Sequence, residues 1–339
     1  MSSFRLAAFG EFLLRLHSAG SKRFLQAGDL HPYFGGAEAN VCVLLSRLGA
    51  SANYITCIPE NDLSVAGVQQ LRSYGVGVND IIYNGDKLGL YFTEAGNHMR
   101  PSRVIYDRAF SSFSFLKPGT INWKKIFNAV EYFHWSGISP AVSQGAADAC
   151  LEAITEAKAK GVAISSDFNY RSTLWKYGKH PREIMPVLLK HTEIAVADLD
   201  SAHVYFGIET DKAASYEERF RQCCDGLRQK LPHLKTLAMS FRQTKGVMHS
   251  YCGALMQNGK YYFSVTHELP FITDQIGSGD AFTGGVLFGL LNKFEPQRVI
   301  DFAIACGSLK QSIVGDWAII NRDEVEQFIQ NGPSGRIIR

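Results

Sequence analysis

The residues best suited to chemistry in this 339-residue chain are those of the run Asp274-Gln275-Ile276-Gly277-Ser278-Gly279-Asp280-Ala281-Phe282-Thr283-Gly284-Gly285. Residues 261–266, before it, alternate in the manner of a strand, and residues 281–291, after it, carry the small and apolar side chains of a closely packed helix. The glycines therefore stand where a helix begins. A helix start offers unpaired backbone N–H groups and about half a positive charge from the summed peptide dipoles, and glycines let an anion approach those donors. Gly277, Ser278 and Gly279 thus read as a phosphate cradle. A carboxylate beside such a cradle repels the phosphate, so Asp280 points to another task, namely accepting a proton from a hydroxyl that attacks phosphorus. The same residues also read as an ordinary turn followed by an acid that the helix dipole favours.

A second glycine-rich start, Phe34-Gly35-Gly36-Ala37-Glu38-Ala39-Asn40, opens onto Val41, Leu44, Leu45 and Leu48 at helical spacing. Gly35 and Gly36 could bring backbone N–H groups against a polyhydroxylated ligand and Asn40 could aim its amide at the same place; a tight turn without a ligand is the alternative. Neither motif has the spacing G-x-x-x-x-G-K-[ST] or G-x-G-x-x-G, which removes the main support for a P-loop NTPase or a Rossmann dinucleotide enzyme.

Composition narrows the partners. With 46% hydrophobic residues the chain can bury one large core, and a formal net charge of +3 without a long Lys/Arg block lacks the electrostatic footprint of a nucleic-acid binder. A small-molecule partner is expected. No opening segment has the pattern of a secretion signal and no apolar stretch approaches the ~20 residues that span a bilayer, so a cytoplasmic location away from membranes is expected. The seven cysteines include no C-x-x-C pair and their number is odd, which predicts buried thiols rather than a disulfide framework. The ten histidines show no H-x-x-x-H spacing, which argues against zinc.

The elements that must position these residues alternate. Residues 5–10, 53–58, 132–135, 162–167, 193–197 and 236–240 read as strands, and residues 37–48, 143–160, 216–231 and 296–312 as helices, with Pro296 suited to a first helical turn. This is the pattern of an α/β fold with a mostly parallel central sheet covered on both faces. Residues 12–34 and 88–108 break the alternation as strand-rich insertions, the second with Leu90, Phe92, Val104 and Tyr106 in two-residue rhythm about a turn at Gly96-Asn97. They read as a lid, formed by about 12–34 and 88–115, projecting from a single domain of residues 1–339. The apolar segment 104–115 could pair edge to edge across a two-fold axis and give a homodimer.

Two separated helix-opening glycine sites, one G-G-x-x-x-N near the start and one resembling D-x-x-G-A-G-D near the end, resemble the ribokinase-type (PfkB-like) carbohydrate kinases, in the family's order and over nearly the whole chain. The resemblance implies a ribokinase-like three-layer α/β/α domain with a small β-rich lid. Within the family, Gly36-Ala37-Glu38-Ala39-Asn40, Tyr91-Phe92-Thr93-Glu94, Tyr106-Asp107-Arg108, Trp135-Ser136-Gly137-Ile138-Ser139-Pro140 and Asp167-Phe168-Asn169-Tyr170-Arg171 look like the 2-keto-3-deoxygluconate kinases. That likeness implies ATP-dependent phosphorylation of the C6 hydroxyl of 2-keto-3-deoxygluconate with Mg²⁺ on the nucleotide. Fructokinase, ribokinase or nucleoside kinase activity and a non-catalytic sugar-binding role are the alternatives.

By the same resemblance Asp280 is the base, Gly277, Ser278 and Gly279 the anion hole, and Gly36, Asn40, Tyr91, Tyr106, Arg108 and Arg171 the sugar-acid site. A guanidinium fork such as that of Arg171 gives a carboxylate two parallel charge-assisted bonds. Asn169, Ser240, Lys245 and Gly246 fall to the nucleotide. The chain departs from the family at Ile276, where a threonine is common, and at residues 195–201, where the metal motif N-x-x-E is absent and Asp198 and Asp200 are the candidates for organising Mg²⁺ through water.

Overall fold

Alternation along the strand Leu6–Phe9 sets the layering of the molecule. Ala7 and Phe9 enter the core on one face of the central sheet, and Leu6 and Ala8 enter the core on the other. Such a strand, apolar at every position, is stable only inside a sheet covered on both sides. The computed structural model describes residues 5–20, 22–26, 28–96, 100–128, 130–245 and 248–333. Their central sheet runs in the order Lys260–Phe263, Met248–Gln257, Thr236–Lys245, Ile194–Val196, Ala163–Asp167, Tyr132–Ser136, Leu6–Phe9, Ala52–Ile55, with His267–Leu269 also paired to Met248–Gln257. Every pairing from Ala52–Ile55 to Thr236–Lys245 is parallel, and those beyond are antiparallel.

One face is covered by Gln144–Ala159, Pro181–Leu189 and Tyr216–Lys230, through Ala146, Ile154, Met185, Leu188 and Phe220. The other is covered by Ala37–Arg47, Asp62–Ser73, Ser278–Leu291, Pro296–Lys310 and Arg322–Asn331. The fold is thus the expected three-layer α/β/α arrangement. From Leu6–Phe9 the chain passes to Ala52–Ile55 on one side and only later to Tyr132–Ser136 on the other. The strand order therefore reverses there, and an open α/β sheet accepts ligands at the carboxyl ends beside such a reversal.

A second, four-stranded sheet lies in the order Leu30–Gly35, Leu13–Ser18, Gly89–Glu94, Arg103–Asp107. It accounts for the strand-rich rhythm of the two insertions; Asn97 of the expected turn lies outside the described residues. The end of the second insertion differs from expectation, because Ser112–Phe115 is a short 3₁₀ turn whose Phe113 is buried against Phe9, ring centroids 5.2 Å apart. The strand available at that sheet edge is therefore only Arg103–Asp107, with Val104 and Ile105 exposed.

Other elements shift or appear for physical reasons. The strand expected over residues 261–266 ends at Phe263, and His267–Leu269 pairs separately before the glycine loop. The strand expected over residues 236–240 extends to Lys245 because Met248–Gln257 folds back along its whole length as an antiparallel partner. Asp62–Ser73, Leu199–Phe206 and Arg322–Asn331 are helices that apolar spacing did not reveal, but each is capped by its Asn or Asp, with Asn61, Asp198 and Asn321 accepting backbone N–H bonds. All seven cysteines are buried free thiols, and among the described residues no helix is long and apolar enough to cross a membrane.

The helix Ser278–Leu291 packs against Ala37–Arg47, Pro296–Lys310 and the sheet. Its glycines make this possible: a Cβ on Gly284 would lie 2.8 Å from Leu44 Cδ2, and one on Gly285 would lie 2.7 Å from Ala303 Cα. Gly285→Val is accordingly expected to destabilise the protein by about 1–3 kcal/mol through overpacking, read as a lowered urea midpoint with an unchanged m-value.

Candidate active site

The helix starts at Ser278, with Gly277 as its N-cap at φ 82°. A Cβ at Gly277 would fall 2.0 Å from the carbonyl oxygen of Asp316, so both conformation and space require glycine here. Ser278 turns inward, its N–H donating to the Gln275 carbonyl at 3.2 Å and its hydroxyl donating to the same oxygen at 2.8 Å. The N–H groups of Gly277, Gly279 and Asp280 have no protein acceptor among the described residues, the situation of donors in a first helical turn. A Cβ on Gly279 would meet nothing within 4 Å. These donors open onto a cleft of about 1350 Å³ that extends to the small sheet and is lined by Gly36, Asn40, Tyr91, Tyr106, Arg108, Asp167, Asn169, Arg171, Ser240, Gly277, Ser278, Gly279 and Asp280 among others.

Asp280 is held from the other glycine motif. Gly36 caps Ala37–Arg47 at φ 141°, where a Cβ would strike the Glu11 carbonyl at 2.3 Å. One turn on, the Asn40 amide Nδ2 donates to Asp280 Oδ2 at 2.6 Å. The amide expected to face a ligand also holds the acid, and both line the same cleft. Burial pushes the Asp280 carboxyl up to about 6, against the Asn40 hydrogen bond and the charge of Arg171. Asp167, at the end of Ala163–Asp167, was not singled out by the sequence. Burial and then the neighbouring Asp280 push it up to about 8, while its oxygens accept from Thr283 Oγ1 at 3.0 Å and Asn169 N at 3.1 Å. Burial thus favours the protonated form of both carboxyls, and the charge of Asp280 favours it further at Asp167.

Arg171 is exposed and, among the described residues, its guanidinium donates only to the Tyr170 carbonyl, from Nη1 at 2.8 Å. Arg108 is buried: its Nε donates to Glu11 Oε2 at 2.8 Å, Nη2 donates to the same oxygen, and its guanidinium lies 5.7 Å from the Tyr106 ring centroid. The Tyr91 hydroxyl donates to Asp316. Asp316 belongs to a buried cluster that sequence reasoning missed. Arg15, 1% exposed, donates to Asp274 Oδ2 at 2.7 Å, Asp316 Oδ1 at 3.2 Å and Thr93 Oγ1 at 2.8 Å. Burial pulls its guanidinium toward neutrality, but Asp316 and Asp274 outweigh this and keep it charged. Lys310, fully buried, donates to the carbonyls of Asp274 at 3.3 Å and Ile313 at 3.0 Å, and burial lowers it to about 8. The available signal for Arg15 was a cation inside the otherwise apolar Leu13-Leu14-Arg15-Leu16.

On the opposite wall, Asn169 adopts φ 39° and is buried, and Ser240 points from Thr236–Lys245 to the cleft. Lys245 ends that strand, and Gly246 lies outside the described residues. Asp198 lines the cleft but caps Leu199–Phe206 through Ser201, whereas Asp200 stands on that helix's first turn away from the cleft lining. Among the described residues no three His, Cys, Asp or Glu side chains are grouped to hold a metal ion.

The sequence profile of the pfkB family carbohydrate kinases matches residues 4–316. The chain belongs to this family. Relatives of this pfkB-family chain include the 2-dehydro-3-deoxygalactonokinase of Haloferax volcanii, 29% identical over 97% of this chain and 98% of that one. Among solved structures, the 2-dehydro-3-deoxygluconokinase of Thermotoga maritima is 31% identical and superimposes with a TM-score of 0.92 over 97% of this chain and 100% of that one. The fructokinase of Xylella fastidiosa, solved with bound ATP, shares the fold at 20% identity, with a TM-score of 0.74 over 96% of this chain and 98% of that one. As a pfkB-family member the chain is a carbohydrate kinase, and kinases of this family use ATP.

Two outcomes follow from the geometry. Gly277→Ala is expected to lower stability and abolish turnover, whereas Gly279→Ala, whose methyl meets open space, is expected to keep the wild-type melting temperature and lose turnover. Asp280→Asn is expected to lower turnover by ~10²–10⁴ and to shift stability with pH. A carboxyl raised above its unfolded value binds its proton more tightly when folded, so folding stability falls as pH rises from about 4 to about 6 and stays lower above that. The Asn variant lacks this loss. Relative to wild type, it should gain about 2–3 kcal/mol at pH 8 over its standing at pH 4, read from urea titrations at both pH values.

Proposed function

We propose that this chain transfers the terminal phosphoryl group of ATP to the C6 hydroxyl of 2-keto-3-deoxygluconate. The observation that carries the reading is the Asn40–Asp280 contact, which fixes the Asp280 carboxyl beside unpaired helix-start donors in the shared cleft. In the reaction the C6 oxygen bonds to the terminal phosphorus as its proton passes to Asp280. The bond from phosphorus to the bridging oxygen breaks, and its electron pair leaves with ADP. The N–H groups of Gly277, Gly279 and Asp280 hold the charge of the transferring group, the positioning that phosphoryl transfer chiefly requires.

The sugar acid occupies the end of the cleft toward the small sheet. Arg171 faces its carboxylate, since it is exposed and bonded only to a carbonyl, while Tyr106 and Arg108 form the wall. Arg108 acts through Glu11, which already takes two of its donors. The small sheet serves as the lid, and its edge strand Arg103–Asp107 is the surface through which two copies would pair. Among the described residues no donor set forms a protein-held metal site, and Asp198 is engaged by Ser201; Mg²⁺ would arrive on the nucleotide's own phosphate oxygens.

The test is steady-state kinetics on 2-keto-3-deoxygluconate, its galactose-derived epimer and fructose, with wild type and Arg171→Ala. Turnover on the sugar acid, with kcat/KM falling ~10²-fold or more in Arg171→Ala and little changed for a neutral sugar, is expected from loss of a charge-assisted pair. Equal losses on acid and neutral sugars would remove the carboxylate argument.

A further inference from the structure

Arg242 is a cation that no sequence motif singled out and that the chemistry above leaves unused. It lies on Thr236–Lys245, on the same face as Ser240 and Thr244 by the two-residue period of a strand, and all three line the cleft. Its Nη2 donates to Ser278 Oγ at 2.8 Å, its Nη1 donates to Gln275 Oε1 at 3.4 Å, and its guanidinium lies 5.6 Å from the Tyr251 ring centroid. The side chain is exposed, yet it is drawn across the first turn of Ser278–Leu291.

That position is electrostatically unfavourable as it stands. Cations are favoured at helix C-termini and disfavoured at the positive N-terminal end, and Arg242 has no carboxylate partner among the described residues. Of the five N–H donors of its guanidinium, two are engaged, both by neutral oxygens. Beside it stand the unpaired N–H groups of Gly277, Gly279 and Asp280. These donors and the Arg242 cation converge on one side of the cleft, where a polyanion would meet both.

We propose that Arg242 clamps the terminal phosphate of the nucleoside triphosphate, holding it over the helix start and neutralising the charge that builds on the phosphoryl oxygens as the bond to the diphosphate breaks. The assignment rests on the kinase reading and adds to it a second positive wall that closes the phosphoryl site from the strand side. Ser278, whose hydroxyl donates to Gln275 and accepts from Arg242, orients the guanidinium.

The experiment compares wild type, Arg242→Gln and Arg242→Lys by calorimetric titration with Mg·ATP and Mg·ADP, and by turnover on 2-keto-3-deoxygluconate. Glutamine is shorter and neutral, so it loses both charge and reach, and lysine, which restores the charge on a long stem, separates an electrostatic role from a purely structural contact. The expected result for Arg242→Gln is a loss of ATP affinity of ~10-fold or more with ADP affinity within about threefold of wild type, and a fall in kcat of ~10²–10³ at unchanged sugar-acid KM. Lysine should recover part of both losses, since charge returns without the planar fork. Turnover of Arg242→Gln within about threefold of wild type, or equal loss of ATP and ADP affinity in both variants, would overturn the proposal. Should the glutamine variant melt early, the ATP-to-ADP ratio of the lysine variant decides. Wild-type failure to phosphorylate any sugar acid, with an ATP-over-ADP preference that depends on Arg242, would overturn the substrate assignment and leave the clamp standing.

Discussion

The contact between Arg15 and Asp274 is the one on which both walls of the cleft depend. Arg15 comes from the small sheet, and Asp274 from the loop that leads into the helix start. The remaining capacity of Asp274 is spent on geometry: Oδ1 accepts from Ile276 N at 3.1 Å and Oδ2 from Gly315 N at 3.1 Å. One carboxylate thus fixes its own loop, the C-terminal loop and the small sheet. Asp316 repeats the arrangement, bonded to Arg15 and Tyr91, and the Lys310 ammonium bridges the carbonyls of both loops. Burying these charges is costly, and a buried ion pair is weak evidence of net stability. Its effect is to allow one relative placement of small sheet and phosphoryl loop, since displacing either strands a charge in a medium that cannot solvate it.

A like concern for charge organises the chemical centre. Two carboxyls, Asp167 and Asp280, line one cleft near the exposed Arg171. Both are raised by burial, Asp280 to about 6 and Asp167, which also feels the charge of Asp280, to about 8. The Asn40 amide works against burial at Asp280 by donating to its carboxylate. Glu38, two residues before Asn40, is also buried and raised to about 7 by burial, with Oε1 accepting from Ser136 N at 2.9 Å. The second glycine motif therefore delivers both the partner of the acid and a buried carboxyl beneath the switch point of the sheet.

Much of this was legible in the chain. Strands buried on both faces read as short apolar runs, so Leu6–Phe9 and Tyr132–Ser136 fell close to their expected places, and the glycine-rich helix starts were visible because no other residue satisfies φ 82° at Gly277 or the approach of Gly36 to Glu11. What could not be read were partners distant in sequence. Nothing local announces that Arg15 meets residues 259 and 301 positions away, that Asn40 bonds to Asp280, or that Arg242 reaches over a helix start. The short helices Asp62–Ser73 and Arg322–Asn331 were missed for a related reason. They bury few residues, Val68 and Leu71 or Val325 and Phe328 among them, so their apolar rhythm is faint and their capping asparagines are the clearer sign.

The enclosure of Ser278–Leu291 has a kinetic consequence. A helix wedged between two others and a sheet, with glycines in place of side chains at the tightest crossings, has no slack in which to rotate or slide. Its leading dipoles are therefore oriented once, during folding, and need not turn again as charge migrates across the reacting centre. Water in the same place would have to reorient at every event, and the difference between a frozen and a relaxing solvent is available to the rate without any further contact.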